Sequence, residues 1–266
     1  MKVKRILLTG DDGYNSTGTR LLVHILKSEY QLCIAGTKDQ QSGVGGRKTL
    51  GKNLVWGEDV VDGVQAIWIE GTPVDSIECA KEFFKEPFDL VISGINFGVN
   101  VSGSLITSGT FSAAFHAVNL GIAPWALSIS LDCSANKYIE EHKKDADIRM
   151  YHTYPGQEAY KIIQEAIKED LWGAEILNIN FPAQPTAEVI FTDCMETMYG
   201  LWATSVLYAD AHTYTAPVRT FTKGMAPFGT DVWALEKGKI SITPCHSSMV
   251  DKDALKKIKK PACFHL

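Results

Sequence analysis

Residues 3–18 read VKRILLTGDDGYNSTG, and this stretch decides the fold. Its first half is a short apolar run of strand length, which ends abruptly at Gly10-Asp11-Asp12-Gly13. Apolar residues then recur with the spacing of one helix face, at Leu21, Leu22, Ile25 and Leu26. The sequence therefore predicts a buried N-terminal strand followed by a helix. Asp11 and Asp12 would lie at the carboxyl end of that strand, where open α/β sheets bind their ligands.

The adjacent carboxylates of Asp11 and Asp12 indicate a cation site. Two neighbouring carboxylates repel each other, and a cation between them removes that repulsion. Carboxylate oxygens are the ligands that Mg²⁺, Mn²⁺ and Ca²⁺ prefer. The alternative is a solvated Asp-Asp-Gly turn closed by an Asx-type hydrogen bond, and the dipeptide alone does not separate the two.

Composition and charge bound the class of protein. With 266 residues, 45% of them apolar and 21% charged, the chain has the composition of a soluble globular protein. A net charge of -5 argues against binding a nucleic-acid polymer, and no apolar window reaches the length of a membrane span. We expect no signal peptide, since the N-terminus runs straight into the first strand. Six scattered cysteines without a C-x-x-C pair predict free thiols and a cytoplasmic protein.

Strand and helix patterns alternate along the first two thirds of the chain. Strand patterns occupy residues 31–35, 64–69, 89–92, 124–130 and 175–181, and helices are predicted from 71–75, from 108–110 and over 156–170. This alternation predicts an α/β fold with a doubly wound, mostly parallel sheet. Asn96 is expected just past its strand, in the same relative position as the two aspartates.

Ser108-Gly109-Thr110 opens a predicted helix and fits a phosphate cradle. A helix N-terminus offers unpaired N–H groups and the positive end of the helix dipole, and hydroxyls add donors. Asn100 could reach the same anion. The alternative is that Ser108 or Thr110 only caps the helix.

From Pro182 onward the alternating pattern ends. Short β-like pieces are predicted at 189–192, 202–208, 218–222 and 239–243, and a basic tail helix near 252–260. Such pieces are too few to close a sheet of their own. The C-terminal third therefore reads as an extension.

Seven motifs occur together in order: ILLTGDDG, the Ser42-Gly43 loop, GTPVD at 71–75, SGINFGVN, SGTFSAA, LNINFP and GTDVWALEKGKISITP. With this order and spacing, from about residue 4 to residue 244, the chain resembles the SurE (survival protein E) family. Members of that family are metal-dependent phosphatases that act on nucleoside monophosphates.

The resemblance implies a fold, a site and a partner. It implies a Rossmann-like core over residues 1–182 and an extension over 183–266 used in swapped oligomerisation, with a late strand returning near 239–244. A homodimer or homotetramer is expected. One divalent cation, Mg²⁺ or Mn²⁺, would be bound by Asp11, Asp12, Ser42 and Asn96. The aspartates and Asn96 would be catalytic, and the substrate phosphate would be bound by Ser42, Gly43, Asn100, Ser108, Gly109 and Thr110.

The chain departs from the family pattern at several positions near the predicted site. Gly10 stands where the family usually has Asn, Phe97 where Arg is common, and Ser104 where an acidic residue is expected. Gly36-Thr37-Lys38 replaces Ala-Pro-Asp. There are two alternatives to a nucleotidase acting on 5′-nucleotides, with 3′-nucleotides left open. These changes make possible a non-catalytic nucleotide- or metal-binding homologue, and the fold class, which suits dinucleotides, makes possible an NAD(P)-linked oxidoreductase. The oxidoreductase is disfavoured because the two carboxylates would repel a pyrophosphate.

Overall fold

The first strand and helix form where the opening stretch predicts them. The computed structural model describes residues 1–133, 147–196, 206–208, 211, 213–215, 224–250 and 256–257. Strand β1 spans Arg5–Thr9 and helix α1 spans Thr17–Leu26. The Ser16 hydroxyl caps α1 by accepting a hydrogen bond from the Thr19 N–H, which satisfies one of the orphan donors of the first turn.

Apart from one additional strand before residue 64, the elements up to residue 181 follow the predicted order. The described helices that follow are α2 (Pro73–Phe84), α3 (Gly109–Asn119), α4 (Glu158–Lys168) and α5 (Asp231–Glu236). The described strands that follow are β2 (Gln31–Thr37), β3 (Trp56–Val61), β4 (Val64–Ile69), β5 (Leu90–Phe97), β6 (Ala126–Leu131), β7 (Ile176–Phe181), β8 (Val189–Phe191), β9 (Val206–Tyr208), β10 (Thr213–Thr215) and β11 (Ile240–Cys245).

Among the described residues, one nine-stranded sheet carries the fold, in the order β3-β4-β2-β1-β5-β6-β7-β11-β8. Neighbouring strands run parallel except for β3 against β4 and β11 against β7, which are antiparallel. This arrangement confirms the predicted α/β class with a mostly parallel sheet. The chain winds outward from β1 to β2 in one direction and continues at β5 in the other. The gap between β1 and β5 is therefore the topological switch point, where such sheets bind ligands.

Helices cover both faces of the sheet with separate apolar cores. On one face, α1 and α4 bury residues such as Leu21 and Ile163 against Ile6 and Leu8 of β1. On the other face, α2 and α3 pack through small or aliphatic side chains against alternate residues such as Leu7. Strand β1 is buried on both sides, as its continuous apolar run predicts.

Strand β5 is longer than its apolar run indicated, and it contains Asn96. Pairing with β6 continues after a register shift between Ser93 and Asn96. Gly94 lies in this irregular segment at a φ of 129°, and an added Cβ there would stand 2.2 Å from the Ile129 carbonyl oxygen. The prediction that Asn96 lies past the strand is therefore wrong, because the bulge allows the ladder to resume beyond the Gly.

Some of the elements predicted after Pro182 lie within the described residues. The strand predicted at 189–192 is β8, and the one at 239–243 is β11, which continues through exposed Pro244 to Cys245. Proline is tolerated there because β8 pairs only with Ile240–Ile242, so no partner needs the missing N–H. Val206–Tyr208 is a strand, whereas 202–205, 218–222 and most of the predicted tail helix lie outside the described residues. Strand β3 was not predicted as a separate element.

Two smaller expectations can be compared with the described part of the chain. The five cysteines within it, Cys33, Cys79, Cys133, Cys194 and Cys245, are not joined by disulfides. Over the same residues, no helix is both long and apolar enough to cross a membrane.

Candidate active site

A small pocket opens at the switch point between β1 and β5. It is lined by backbone and side chains from the two strand ends and from the start of α1: Gly10, Asp11, Asp12, Ser16, Gly94, Ile95 and Asn96. Asp11 and Asn96 are almost fully buried, with 4% and 9% of their surface exposed. The structure thus brings together three of the four predicted metal ligands, and the lining side chains that can ligate are all oxygen donors.

Asp11 is fixed against the N-terminus of α3. The Thr110 hydroxyl donates to Asp11 Oδ1 at 2.5 Å, and a Cβ added at Gly109 would lie 2.8 Å from both Cβ and Oδ2 of Asp11. Glycine is needed at position 109 because a side chain would displace the carboxylate. A buried carboxylate at a helix N-terminus is stabilised by the helix dipole.

Asp12 and Asn96 are oriented by the backbone around β5. The Phe97 N–H donates to Asp12 Oδ2 at 3.2 Å, and Asn96 Nδ2 donates to the Gly98 carbonyl oxygen at 2.5 Å. Since the Asn96 amide nitrogen is used in this way, its Oδ1 is the atom that suits a cation. Backbone contacts therefore set the direction of both side chains.

Ser42 lies beside the pocket but does not line it. The Gln41 N–H donates to the Asp11 carbonyl oxygen at 2.7 Å, which brings this loop to the end of β1. The Ser42 hydroxyl accepts from Gln40 Nε2 at 2.8 Å, and Ser42 and Gly43 are exposed. The loop is also held at Gly45, whose N–H donates to the Thr107 carbonyl oxygen at 3.0 Å.

The two hydroxyls at the start of α3 have protein partners. Ser108 is the N-cap, and its Oγ accepts from the Phe111 N–H at 3.0 Å. A threonine hydroxyl has a single proton to donate, and Thr110 gives it to Asp11. The groups that suit an anion here are the first N–H groups of α3, which have no acceptor within the helix.

Asn100 is directed into the protein rather than into the pocket. Its side chain donates to Ser130 Oγ at 2.9 Å, and its N–H donates to Asn180 Oδ1 at 2.8 Å. Its carbonyl oxygen accepts from the amides of Asn178 and Asn180. Asn100 is 3% exposed, so in this arrangement it fixes the path of the chain between β5 and α3.

The chain is similar to known proteins over most of its length. The family model "Survival protein SurE" matches residues 6–201. The chain belongs to the SurE family. It is 32% identical to the 5′-nucleotidase SurE of Methanopyrus kandleri over 96% of this chain and 97% of that protein. The corresponding protein of Cytophaga hutchinsonii is 30% identical over 90% of each chain. The crystal structure of the SurE protein from Aquifex aeolicus superposes with a TM-score of 0.72, at 25% identity, over 96% of this chain and 98% of that one.

The departures from the SurE pattern have identifiable structural settings. A Cβ added at Gly10 would meet the Gly94 backbone at 3.6 Å, an ordinary contact, so a side chain at position 10 is not excluded by space. The Phe97 ring is buried in the core and packs edge-on against Tyr151, with centroids 5.0 Å apart. Lys38 pairs with Glu70 at the surface, at 2.5 Å. Ser104 is buried, and its hydroxyl donates to the Val101 carbonyl oxygen.

Sequence reasoning assigned no role to two residues of the opening stretch. Ser16 caps α1 and lines the pocket. Gly18 allows α1 to approach β5, since a Cβ there would stand 1.8 Å from the Ile95 carbonyl oxygen. The Ser16-Thr17-Gly18 sequence before an apolar helix is an N-cap signal that could have located Ser16. Nothing local indicates the close approach at Gly18.

Proposed function

We propose that this chain is a divalent-cation-dependent phosphomonoesterase that hydrolyses nucleoside monophosphates. The observation that carries the proposal is the convergence of Asp11, Asp12 and Asn96 in one pocket, beside the N-terminus of α3. The names of the curated relatives, 5′-nucleotidase SurE, support the substrate class. We take 5′-nucleotides as the primary substrates, and 3′-nucleotides as a second group to be tested.

The donor set fits a hard divalent cation. Asp11, Asp12 and Asn96 supply carboxylate and amide oxygens, and the loop that bonds to the Asp11 carbonyl carries Ser42 close by. We propose these four residues as ligands of Mg²⁺ or Mn²⁺, which prefer oxygen ligands. When bound, the cation would polarise the phosphoryl oxygens and offset the charge that develops on them.

The protein's own groups have separable tasks in this proposal. The first N–H groups of α3, at Gly109 and Thr110, would bind the substrate phosphate and stabilise the charge that develops on its equatorial oxygens. Ser108 fixes the helix start, and Ser42 with Gly43 closes the site from the side. Asp12 orients the attacking water and accepts its proton. Thr110 keeps Asp11 in place.

The residues of the site also bear on the two alternative functions. The changes at Gly10, Phe97 and Ser104 are the grounds for a non-catalytic homologue. However, Phe97 still supplies its N–H to Asp12, which any residue except proline would do. An NAD(P)-linked oxidoreductase is disfavoured, because a pyrophosphate at this strand end would meet the carboxylates of Asp11 and Asp12.

We also propose that the segment after Pro182 joins copies of the chain into a homodimer or homotetramer. Within the described residues, β9 and β10 form a two-stranded sheet separate from the main one, and such hairpins are marginal alone. Residues 1–182 would form the core and 183–266 the extension, from which β8 and β11 join the main sheet. Light scattering decides this: a single species near 29.3 kDa would contradict it.

We further propose that the protein acts in the cytoplasm, where Mg²⁺, nucleoside monophosphates and reduced thiols occur together. That the described cysteines are not joined by disulfides agrees with this compartment.

The function is tested by assaying p-nitrophenyl phosphate and a panel of 5′- and 3′-nucleotides with Mg²⁺, Mn²⁺ or EDTA. We expect phosphate release that requires the metal and is abolished by EDTA. Binding of nucleotides without turnover would favour the non-catalytic alternative. Turnover of a nicotinamide cofactor would favour the oxidoreductase.

A further inference from the structure

A carboxylate that does not line the pocket holds the chain segment that leads to α3. Asp231, at the start of α5, is completely buried. One of its oxygens accepts from the Ser102 N–H at 2.7 Å, and the other accepts from the Met195 and Val232 N–H groups at 3.1 and 2.8 Å. A single side chain thus connects the segment after β5, the segment after β8 and its own helix.

Ser102 is the point at which this connection reaches the site. It begins the 3₁₀ turn Ser102–Thr107, which is followed directly by the N-cap of α3. Its φ is 55°, a left-handed conformation that is unfavourable for a residue with a side chain. The Ser102 hydroxyl donates to the Met195 carbonyl oxygen at 2.8 Å. Together with the bond to Asp231, this contact holds Ser102 in its uncommon conformation.

Apolar packing accompanies the hydrogen bonds. Val99, Val101, Met195 and Val232 form a small buried cluster that is separate from the two cores of the main sheet. The segment between β5 and α3 therefore packs against the C-terminal extension on one side, while the amides of β7 hold Asn100 on the other.

Burial raises the pKa of Asp231, and the backbone N–H groups of Ser102, Met195 and Val232 oppose that rise. Such a carboxylate is retained only when several donors satisfy it, because an unpaired buried charge is strongly destabilising. Removing it leaves buried N–H groups from three segments without their acceptor.

We propose that Asp231 is a positioning residue for the part of the active site that binds the substrate phosphate, at the N-terminus of α3. By fixing Ser102, it sets where the turn 102–107 ends and so where Ser108 and the first N–H groups of α3 stand relative to Asp11. This inference rests on the proposed function for the role of α3. The bonds of Asp231 themselves are independent of that role.

The test compares Asp231→Asn and Asp231→Ala with Ile163→Ala. Ile163 is fully buried in α4 in the core on the opposite face, so its truncation destabilises the protein without touching the turn. Amide hydrogen exchange of peptides covering 99–107 is measured on the metal-free protein. Initial rates with p-nitrophenyl phosphate then give kcat and KM, and inorganic phosphate as inhibitor gives Ki.

For both Asp231 variants we expect faster exchange in 99–107 than in the wild-type protein, with exchange in the sheet unchanged. We expect kcat/KM to fall by about 10²-fold for Asp231→Ala, the loss typical of a misplaced site. Asp231→Asn keeps one acceptor oxygen, so we expect a smaller loss in kcat/KM. This variant carries the test if Asp231→Ala does not fold. Phosphate Ki should rise in parallel. In Ile163→Ala, the melting temperature should fall, while kcat, KM and Ki stay near their wild-type values.

Unchanged exchange in 99–107 for Asp231→Asn and Asp231→Ala would overturn the proposal. Kinetic changes no larger than those of Ile163→Ala would also overturn it. A wild-type protein without phosphatase activity would instead contradict the proposed function, and the exchange result would still show whether Asp231 holds the turn.

Discussion

The two halves of the sheet bury different chemistry on the face covered by α2 and α3. In the β2-β1-β5 half, this face is largely aliphatic, as at Leu7 and Val91, and polar groups gather at the strand ends. In the β6-β7-β11 half, fully or almost fully buried hydroxyls and amides continue along the strands: Ser128, Ser130, Asn178, Asn180, Ser241 and Thr243. The aliphatic half supplies the charged groups of the site, and the polar half holds the backbone that leads to α3.

The two halves also differ in what fixes the position of their functional groups. Asp11 and Asp12 have their position because β1 ends there, which is a local property of the chain. The segment around Asn100 has its position because Asn178 and Asn180 bond to its backbone from a strand about 80 residues later. Buried amides of this kind are stable only when they are paired, so they specify one arrangement of the segment.

The largest expected effect is that of Asp12→Asn, in the half that supplies charge. Loss of one of two carboxylates weakens cation binding, and a bound cation contributes several kcal/mol of transition-state stabilisation. We therefore expect phosphatase activity to fall by about 10³-fold or more. The melting temperature of the metal-free variant should equal or slightly exceed that of the metal-free wild type, because repulsion between the carboxylates is relieved.

Asp39→Asn is the matched control for that change, since Asp39 is an exposed carboxylate in the neighbouring loop. Its activity should stay near wild type. If Asp12→Asn keeps most of its metal-dependent turnover, Asp12 is not a ligand.

The next largest effect is expected at Gly109, where the start of α3 contacts Asp11. In Gly109→Ala the new methyl group would stand 2.8 Å from Asp11 Cβ and Oδ2, so the helix or the carboxylate must shift. A misplacement of this kind costs about 10²-fold in kcat/KM. Gly103→Ala is the control, because a Cβ at Gly103 meets nothing within 4 Å. Equal kinetics for the two variants would show that the approach of Gly109 to Asp11 is not required.

A smaller effect tests the polar half directly. Asn180→Ala removes the acceptor of the Asn100 N–H, and a buried donor left unsatisfied costs about 1–3 kcal/mol in the free energy of unfolding. We expect kcat/KM to fall as well, because the segment leading to α3 loses a support. Ile179→Val, on the same strand in the opposite core, should cost about 0.5–1.5 kcal/mol and leave kcat/KM unchanged. Chemical denaturation and initial rates measure both quantities.

The smallest effect concerns thiol reactivity in the polar half. Burial, together with the negative charge of Asp231, raises the pKa of Cys194 to about 12 and that of Cys245 to about 11. A raised pKa means less thiolate, so at pH 8 about 10⁻³ or less of either thiol is reactive. Iodoacetamide should label these cysteines slowly in the native protein and readily in guanidinium chloride, as peptide mass spectrometry would show. Fast native labelling would indicate that this half opens easily.

Most elements of the fold are predictable because their patterns are local. The 3.6-residue spacing of Leu21, Leu22, Ile25 and Leu26 predicts α1, and continuous apolar runs predict β1 and β7. Strand β3 carries no such pattern, since four of its six residues are exposed, and only pairing with β4 makes it a strand. The end of β5 escaped prediction for a related reason: the bulge at Gly94 depends on the neighbouring β6.

The sequence by itself determined the alternation of strands and helices, the placement of Asp11 and Asp12 after the first strand, and the helix start at Ser108. These follow from apolar periodicity and capping, which act within a few residues. Only the tertiary structure decided that Asp12 meets the Phe97 N–H, that Thr110 donates to Asp11 across 99 residues, and that Asp231 reaches Ser102 across 129. Such contacts form because buried polar groups must find partners wherever the packed elements bring them, and that requirement leaves no periodic pattern in the sequence.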